Sequence, residues 1–276
     1  HFVLPGCKPC DLQALSLEKA VELLLSITPR LESPSPRQGA FPEGRGDGRN
    51  VMVSSASTLA SLCECLPLAL RLAGSALAEA PSLPVAEFLQ RFTQAQSRLQ
   101  LTGMGAALQV SYDLLPTGLQ QQLRQLSVFQ APFDRPAAAA LWQVDESAAQ
   151  PDLDCLLNAS LLEWDAGKGF YLHDIVRDFT AGCASQPEQD AAALRHAKYY
   201  LAVARQADDL YKQGGAQMMG GLRLFDAQWA HISQVQRWVA ARPENDQAAS
   251  RLCNEYLDAV AFYLELRLQP KERIAW

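Results

Sequence analysis

The chain has 276 residues and a mass of 30.2 kDa, enough for one large domain or two to three small ones. With 49% hydrophobic and 20% charged residues it is not disordered, collagen-like or a disulfide scaffold. A formal charge of −6 argues against a basic coat for nucleic acid, and the odd count of 7 cysteines points to a reducing compartment, the cytoplasm. No apolar run approaches the roughly 20 residues of a bilayer span, and the first residues lack the basic flank and apolar stretch of a secretory signal.

Phe2-Val3-Leu4-Pro5 reads as the tail of a strand that begins too late to stand alone, so the chain is expected to be part of something larger. Leu12, Leu15, Ala20, Val21, Leu24 and Leu25 recur at helical spacing, with Ser16 as N-cap and a stop before Pro29. Residues 32–55 are dense in Pro, Gly and Ser and predict a flexible loop. From Ala56 to Ala80 leucines again mark helix, interrupted at Pro67, where a turn and a new helix are expected. Phe88, Leu89 and Phe92 give a short helix after Pro84, and the polar stretch 93–103 reads as loop.

Between 106 and 182 the pattern is clearest. Amphipathic sets around Ala107–Leu115 and Leu119–Phe129 precede an alanine-rich helix opened by Asp134-Arg135-Pro136, then a helix over 152–159. Leu161–Trp164, the turn Asp165–Gly169 and Phe170–Leu172 read as a β-hairpin, and His173-Asp174 opens a helix to Cys183. Helices followed by a hairpin wing are the grammar of a winged helix-turn-helix. Residues 188–276 read as wholly helical, with Tyr199, Tyr200, Phe225, Trp229, Trp238, Tyr256, Phe262 and Tyr263 as core aromatics and no clean 34-residue repeat.

DNA binding needs cations on the recognition helix and wing. Residues 106–182 hold 4 Lys+Arg against 10 Asp+Glu, the whole net charge of the chain, while the remainder balances at 20 against 20. Nucleic acid and membrane are therefore not expected partners. Cys7-x-x-Cys10 with Cys63-x-Cys65 lacks the spacing of a structural zinc site, so no metal is expected. His196 and His231 read as surface or packing residues, and a His173–Cys183 nucleophile pair lacks an orienting third group. There is no Walker A or B motif, and no catalytic residue is assigned; the chain alone is not expected to hydrolyse ATP.

Cys65-Leu66-Pro67-Leu68-Ala69-Leu70 resembles the Gly-Leu-Pro-Leu-Ala-Leu motif of NB-ARC proteins, the STAND-class signal-transduction ATPases. Ser111–Pro116, Leu126–Phe129 and Phe133-Asp134 resemble the opening of that family's winged-helix subdomain, and Tyr171-Leu172-His173-Asp174 its Met-His-Asp motif. The resemblance covers about residues 1–183, and the tail is similar to the helical linker before tetratricopeptide (TPR) repeats in bacterial members.

It implies a mainly α fold in five parts: the end of the nucleotide-binding core and first ARC helix (1–31), a loop (32–55), an ARC helical subdomain (56–105), a winged helix (106–185), and a helical linker leading into TPR-like repeats (186–276). It also implies a nucleotide switch, off with ADP and on with ATP, that couples a repeat sensor to oligomerisation and signalling, as in bacterial defence. ADP or ATP with Mg2+ would be held only together with an upstream core. Pro67, beside Leu66, maps onto the adenine contact and His173 onto the β-phosphate contact, with Asp174 expected to cap its own helix. Cys65 and Leu172 depart from the motif glycine and methionine. Implied partners are the upstream nucleotide-binding domain and effector, a downstream TPR-like sensor, and further copies of the chain on activation. Two other readings stay open: a transcription regulator of NB-ARC–TPR type with an upstream DNA-binding domain, and a helical protein-interaction module without nucleotide.

Overall fold

The computed structural model describes residues 14–32, 54–242 and 247–274. Among these the protein is mainly α, in two compact units: residues up to Thr117 with 158–161, and 118–157 with 162 onward. The expected strand remnant at Phe2–Pro5, Cys7 and Cys10, and most of the loop over 32–55 lie outside the described residues.

The first unit begins with α1 (Leu17–Ile27), capped by Ser16, whose hydroxyl accepts from the Lys19 N–H at 3.4 Å. A 3-10 turn (Pro29–Glu32) follows, as the stop before Pro29 requires. Its Arg30 guanidinium donates to the carbonyls of Ala80, Pro81 and Leu83 at 2.9–3.0 Å. These oxygens lie at and just past the end of α3 (Pro67–Glu79), where a helix leaves its last carbonyls unpaired. α2 (Ser55–Leu62) is capped by Ser54, and α4 (Val85–Leu99) and α5 (Gly103–Asp113) complete the unit. Leu24, Leu59, Leu70, Leu77, Phe88 and Phe92 are fully buried among them.

α4 corrects the loop expected over 93–103. Phe88 and Phe92 set the buried face, and the polar residues after them are good helix formers that cover its outer face. One of them, Gln96, donates to the Leu62 carbonyl at 3.0 Å, a bond that ties α4 to the end of α2. Gly103 then has no room for a side chain, since a Cβ would sit 2.5 Å from the Leu62 carbonyl oxygen.

In the second unit α6 (Thr117–Leu126), α7 (Arg135–Trp142) and α8 (Glu146–Asn158) precede a hairpin of β1 (Glu163–Asp165) and β2 (Gly169–Tyr171). α7 starts as read, with the Asp134 carboxylate accepting from the Ala137 N–H at 2.9 Å and Pro136 in the first turn. α8 begins six residues earlier than expected, because Pro151 forfeits only its own N–H bond and the Asp145 carbonyl seats the first turn. The strands pair antiparallel with Trp164 opposite Phe170. The hairpin is widened by a bridge in which Phe133 and Phe170 exchange both backbone bonds at 2.8 Å. Leu161 and Leu162, expected in the first strand, are instead buried ahead of it.

After α9 (Asp174–Cys183) come the long helices α10 (Gln186–Lys212), α11 (Gly215–Ala240) and α12 (Gln247–Arg267), then the short α13 (Pro270–Ile274). α10 and α11 form a helical hairpin across a two-residue turn. They approach so closely at Gly221 that an added Cβ would strike the Ala207 carbonyl oxygen and the Tyr211 nitrogen. Tyr256 and Tyr263 bring α12 in, with hydroxyls that donate to the Ala197 carbonyl (2.7 Å) and the Asp226 carboxylate (2.9 Å). Phe262 is not core as expected: it is 46% exposed, with the Lys212 ammonium 5.8 Å from its ring centre.

Candidate functional site

The residues singled out by sequence fall at two helix starts. Leu66 and Pro67, in the first unit, are half-buried, with Leu66 as the uncapped N-cap of α3 and Pro67 as its first residue. Pro costs nothing there, because the N–H it lacks would have been unpaired. The turn before it is built by two consecutive left-handed residues, Glu64 (φ 57°) and Cys65 (φ 53°). Cys65 donates to the Ala60 carbonyl and accepts from the Leu15 N–H, at 3.0 and 2.9 Å. A glycine at this motif position is thus explained by backbone conformation, and the cysteine carries the strain of a β-carbon in the left-handed region.

His173 and Asp174 lie in the second unit, at the start of α9 directly after the wing. Here one expectation is overturned: His173, not Asp174, caps the helix. Its Nδ1 accepts from the Ile175 N–H at 3.3 Å. Asp174 is the first helical residue, in a position from which its carboxylate pairs with the Arg177 guanidinium one turn on, at 2.9 Å. With Nδ1 accepting, the proton of the neutral imidazole sits on Nε2. His173 is exposed, so this N–H is presented outward at a helix N-terminus, where the macrodipole also favours an anion. The Arg177 pair offsets the adjacent Asp174 charge that would otherwise repel one. Cys183 stands at the far end of the same helix, about 14 Å away by helical rise, which removes a nucleophile pair with His173.

Of the two histidines read as surface or packing, both are packing residues. His196 on α10 and His231 on α11 are 3% and 1% exposed, with ring nitrogens 3.4 Å apart. His231 Nε2 lies 2.9 Å from the Pro132 carbonyl, an acceptor, so it must carry the proton and its Nδ1 must accept. His196 Nε2 therefore donates to that Nδ1, which leaves His196 Nδ1 as an acceptor. Tyr200 stacks on His231 at 4.3 Å between ring centres, and Phe129 meets both imidazoles edge-on. Burial presses His196 down to about 3, with a smaller contribution from any charge that His231 would take up; burial also lowers His231, against the Pro132 bond. Histidines 35 residues apart give no sequence signal that they meet.

The third helix of the hairpin-bearing module, α8, carries Glu146, Asp152 and Asp154 and no Lys or Arg. Cys63 is buried, and burial with the neighbouring Cys65 and Glu64 pushes its thiol far up, so it is not a nucleophile. Among the described residues no group of three or more His, Cys, Asp and Glu could hold a metal, and no helix is long and apolar enough to cross a membrane.

No known family profile matches the chain. It is 29% identical over 212 residues to the regulatory protein AfsR of Streptomyces griseus and 27% identical over 215 residues to that of Streptomyces coelicolor. The chain is similar to regulatory proteins. The similarity covers 73% of the chain, which spans about 20% of the length of each of these relatives.

Proposed function

We propose that the chain is a switch segment of a larger regulatory protein, in which a nucleotide held mainly by an adjoining NB-ARC core is read by His173. The observation that carries this is the capping geometry: Nδ1 is engaged by the α9 backbone, which commits the exposed Nε2–H to donate outward. Such a donor at a helix N-terminus fits the β-phosphate of ADP, and half-buried Pro67 and Leu66 offer an apolar surface suited to a purine. ADP or ATP with Mg2+ supplies the signal as a change in charge and length of the phosphate chain; the residues of this chain hold and orient one end of it. Loss of the His173 contact on exchange to ATP would release the module, so that a repeat sensor downstream and self-association can follow.

Similarity to regulatory proteins supports a signalling role and favours, as a second reading, a transcription regulator whose DNA-binding domain lies elsewhere in the full-length protein. The acidic α8 supports that division of labour, since it offers no phosphate-reading face. A role in the cytoplasm follows from either reading.

The test is ADP retention by the full-length protein. His173→Ala removes both the cap and the donor, whereas His173→Asn restores a cap acceptor without the imidazole N–H. Both variants are expected to lose ADP at least tenfold faster, with only His173→Ala losing stability as well. Unchanged ADP dissociation in both would refute the assignment.

A further inference from the structure

A cleft in the second unit runs between the segment after α6 and the helices α10 and α11, in two connected parts of about 250 and 470 Å3 that share Val128, Gln130, Ala193, Gln234 and Trp238. We propose that it binds a small uncharged ligand whose head group donates N–H hydrogen bonds, an amide or lactam on an apolar body.

The polar groups of the cleft dictate that choice. Gln234 is nine-tenths buried, and its Nε2 donates to the Val128 carbonyl at 2.6 Å. This fixes the amide orientation and leaves Oε1 as a buried acceptor with no partner. His196, which also lines the cleft, has its proton committed to His231 and keeps an acceptor at Nδ1. Three neighbouring donors are spent within the protein, Gln189 on the Ala181 and Ala184 carbonyls, and Gln186 and Arg242 on the Asp190 carboxylate, while Gln130 and Arg237 line the cleft from exposed positions. At the buried Gln234 and His196 it is acceptors that are left over, so there the ligand must bring the hydrogens. Asp190 and Arg242 offset each other, Arg242 also covers one face of Trp238 at 4.6 Å, and Arg237, which lines the smaller part, is exposed, so no buried charge repays the desolvation of an ion. Val128, Ala193, Val235 and Trp238 supply the apolar wall. The cleft is of the size of known small-ligand sites.

The test uses the whole chain with three probes of one shape: benzamide, N,N-dimethylbenzamide and benzoate, followed by ligand-observed NMR and calorimetry. Benzamide is expected to bind saturably, and the other two at least tenfold more weakly, because one lacks N–H donors and the other brings a charge. Ala193→Met narrows the cleft without touching a hydrogen bond and should abolish benzamide binding, as should Gln234→Met; if the latter does not fold, Ala193→Met decides. A cleft that holds only water, shown by no saturable response to benzamide, would overturn the proposal. So would equal binding of the dimethyl analogue or of benzoate, or unchanged binding in Ala193→Met.

Discussion

Acid should unfold the second unit through one imidazole. In the unfolded chain His196 titrates near 6.5, whereas in the folded protein burial presses it down to about 3. Between those values the unfolded state binds a proton that the folded state refuses, so its contribution to stability is intact above pH 6.5 and is lost as pH falls towards 3. The loss is about 1.4 kcal/mol per pH unit, hence about 3 kcal/mol at pH 4.5 from His196 alone. A proton added at His196 Nδ1 leaves the bond from Nε2–H to His231 intact, so what opposes it is burial of the charge, with any charge on His231 adding to the effect. All 5 tryptophans lie at or beyond Trp142, so their fluorescence reports this unit in urea titrations. Carboxylates add their own acid dependence, and His196→Gln isolates the imidazole, because glutamine still donates an N–H but does not titrate. The wild type should lose about 3 kcal/mol more than the variant between pH 7 and 4.5, a difference of about 1 M in urea midpoint. Parallel pH profiles for the two proteins would refute the reasoning.

Other outcomes follow from the packing. Gly221→Ala places a methyl against the backbone of α10 and should cost about 2 kcal/mol in urea unfolding. Tyr256→Phe leaves the buried Ala197 carbonyl without its side-chain donor and should cost about 1 kcal/mol, seen as a lower midpoint with an unchanged denaturant slope. Cys65→Gly relieves a left-handed β-carbon and should stabilise the fold by about 0.5 kcal/mol after the added backbone entropy of glycine, read as a higher thermal midpoint; a fall would show that the cysteine side chain matters more than the strain.

Local signals in the sequence translated well where one residue type answers one backbone need. Ser16 and Asp134 at N-caps, Pro67 and Pro136 in first turns, and the glycine turn of the hairpin all do what their chemistry suggests. The polar stretch that became the second half of α4 was illegible because its anchor is tertiary: Gln96 reaches a carbonyl 34 positions earlier. The capping role at α9 was misplaced by one residue, since Asp is the commoner cap and only the backbone shows that the imidazole Nδ1 takes that N–H. Likewise nothing in the sequence around Cys65 shows the left-handed backbone that its φ of 53° reveals. The histidine pair and the unpartnered Gln234 oxygen arise from segments that meet across 35 and 106 positions of chain, a distance over which periodicity carries no information.

The dipeptide Pro132-Phe133 joins two structures at once. The Pro132 carbonyl accepts a hydrogen bond from His231 Nε2–H in the helical layer, and the very next residue exchanges both its backbone bonds with the wing at Phe170. Three residues on from Phe170 stands His173. The hairpin and the long helices are therefore pinned to the same peptide, and a shift of that peptide strains the bonds of both. A pull on the imidazole at the head of α9 reaches the helical hairpin through a strand, one bridge and one carbonyl, with no flexible loop in between.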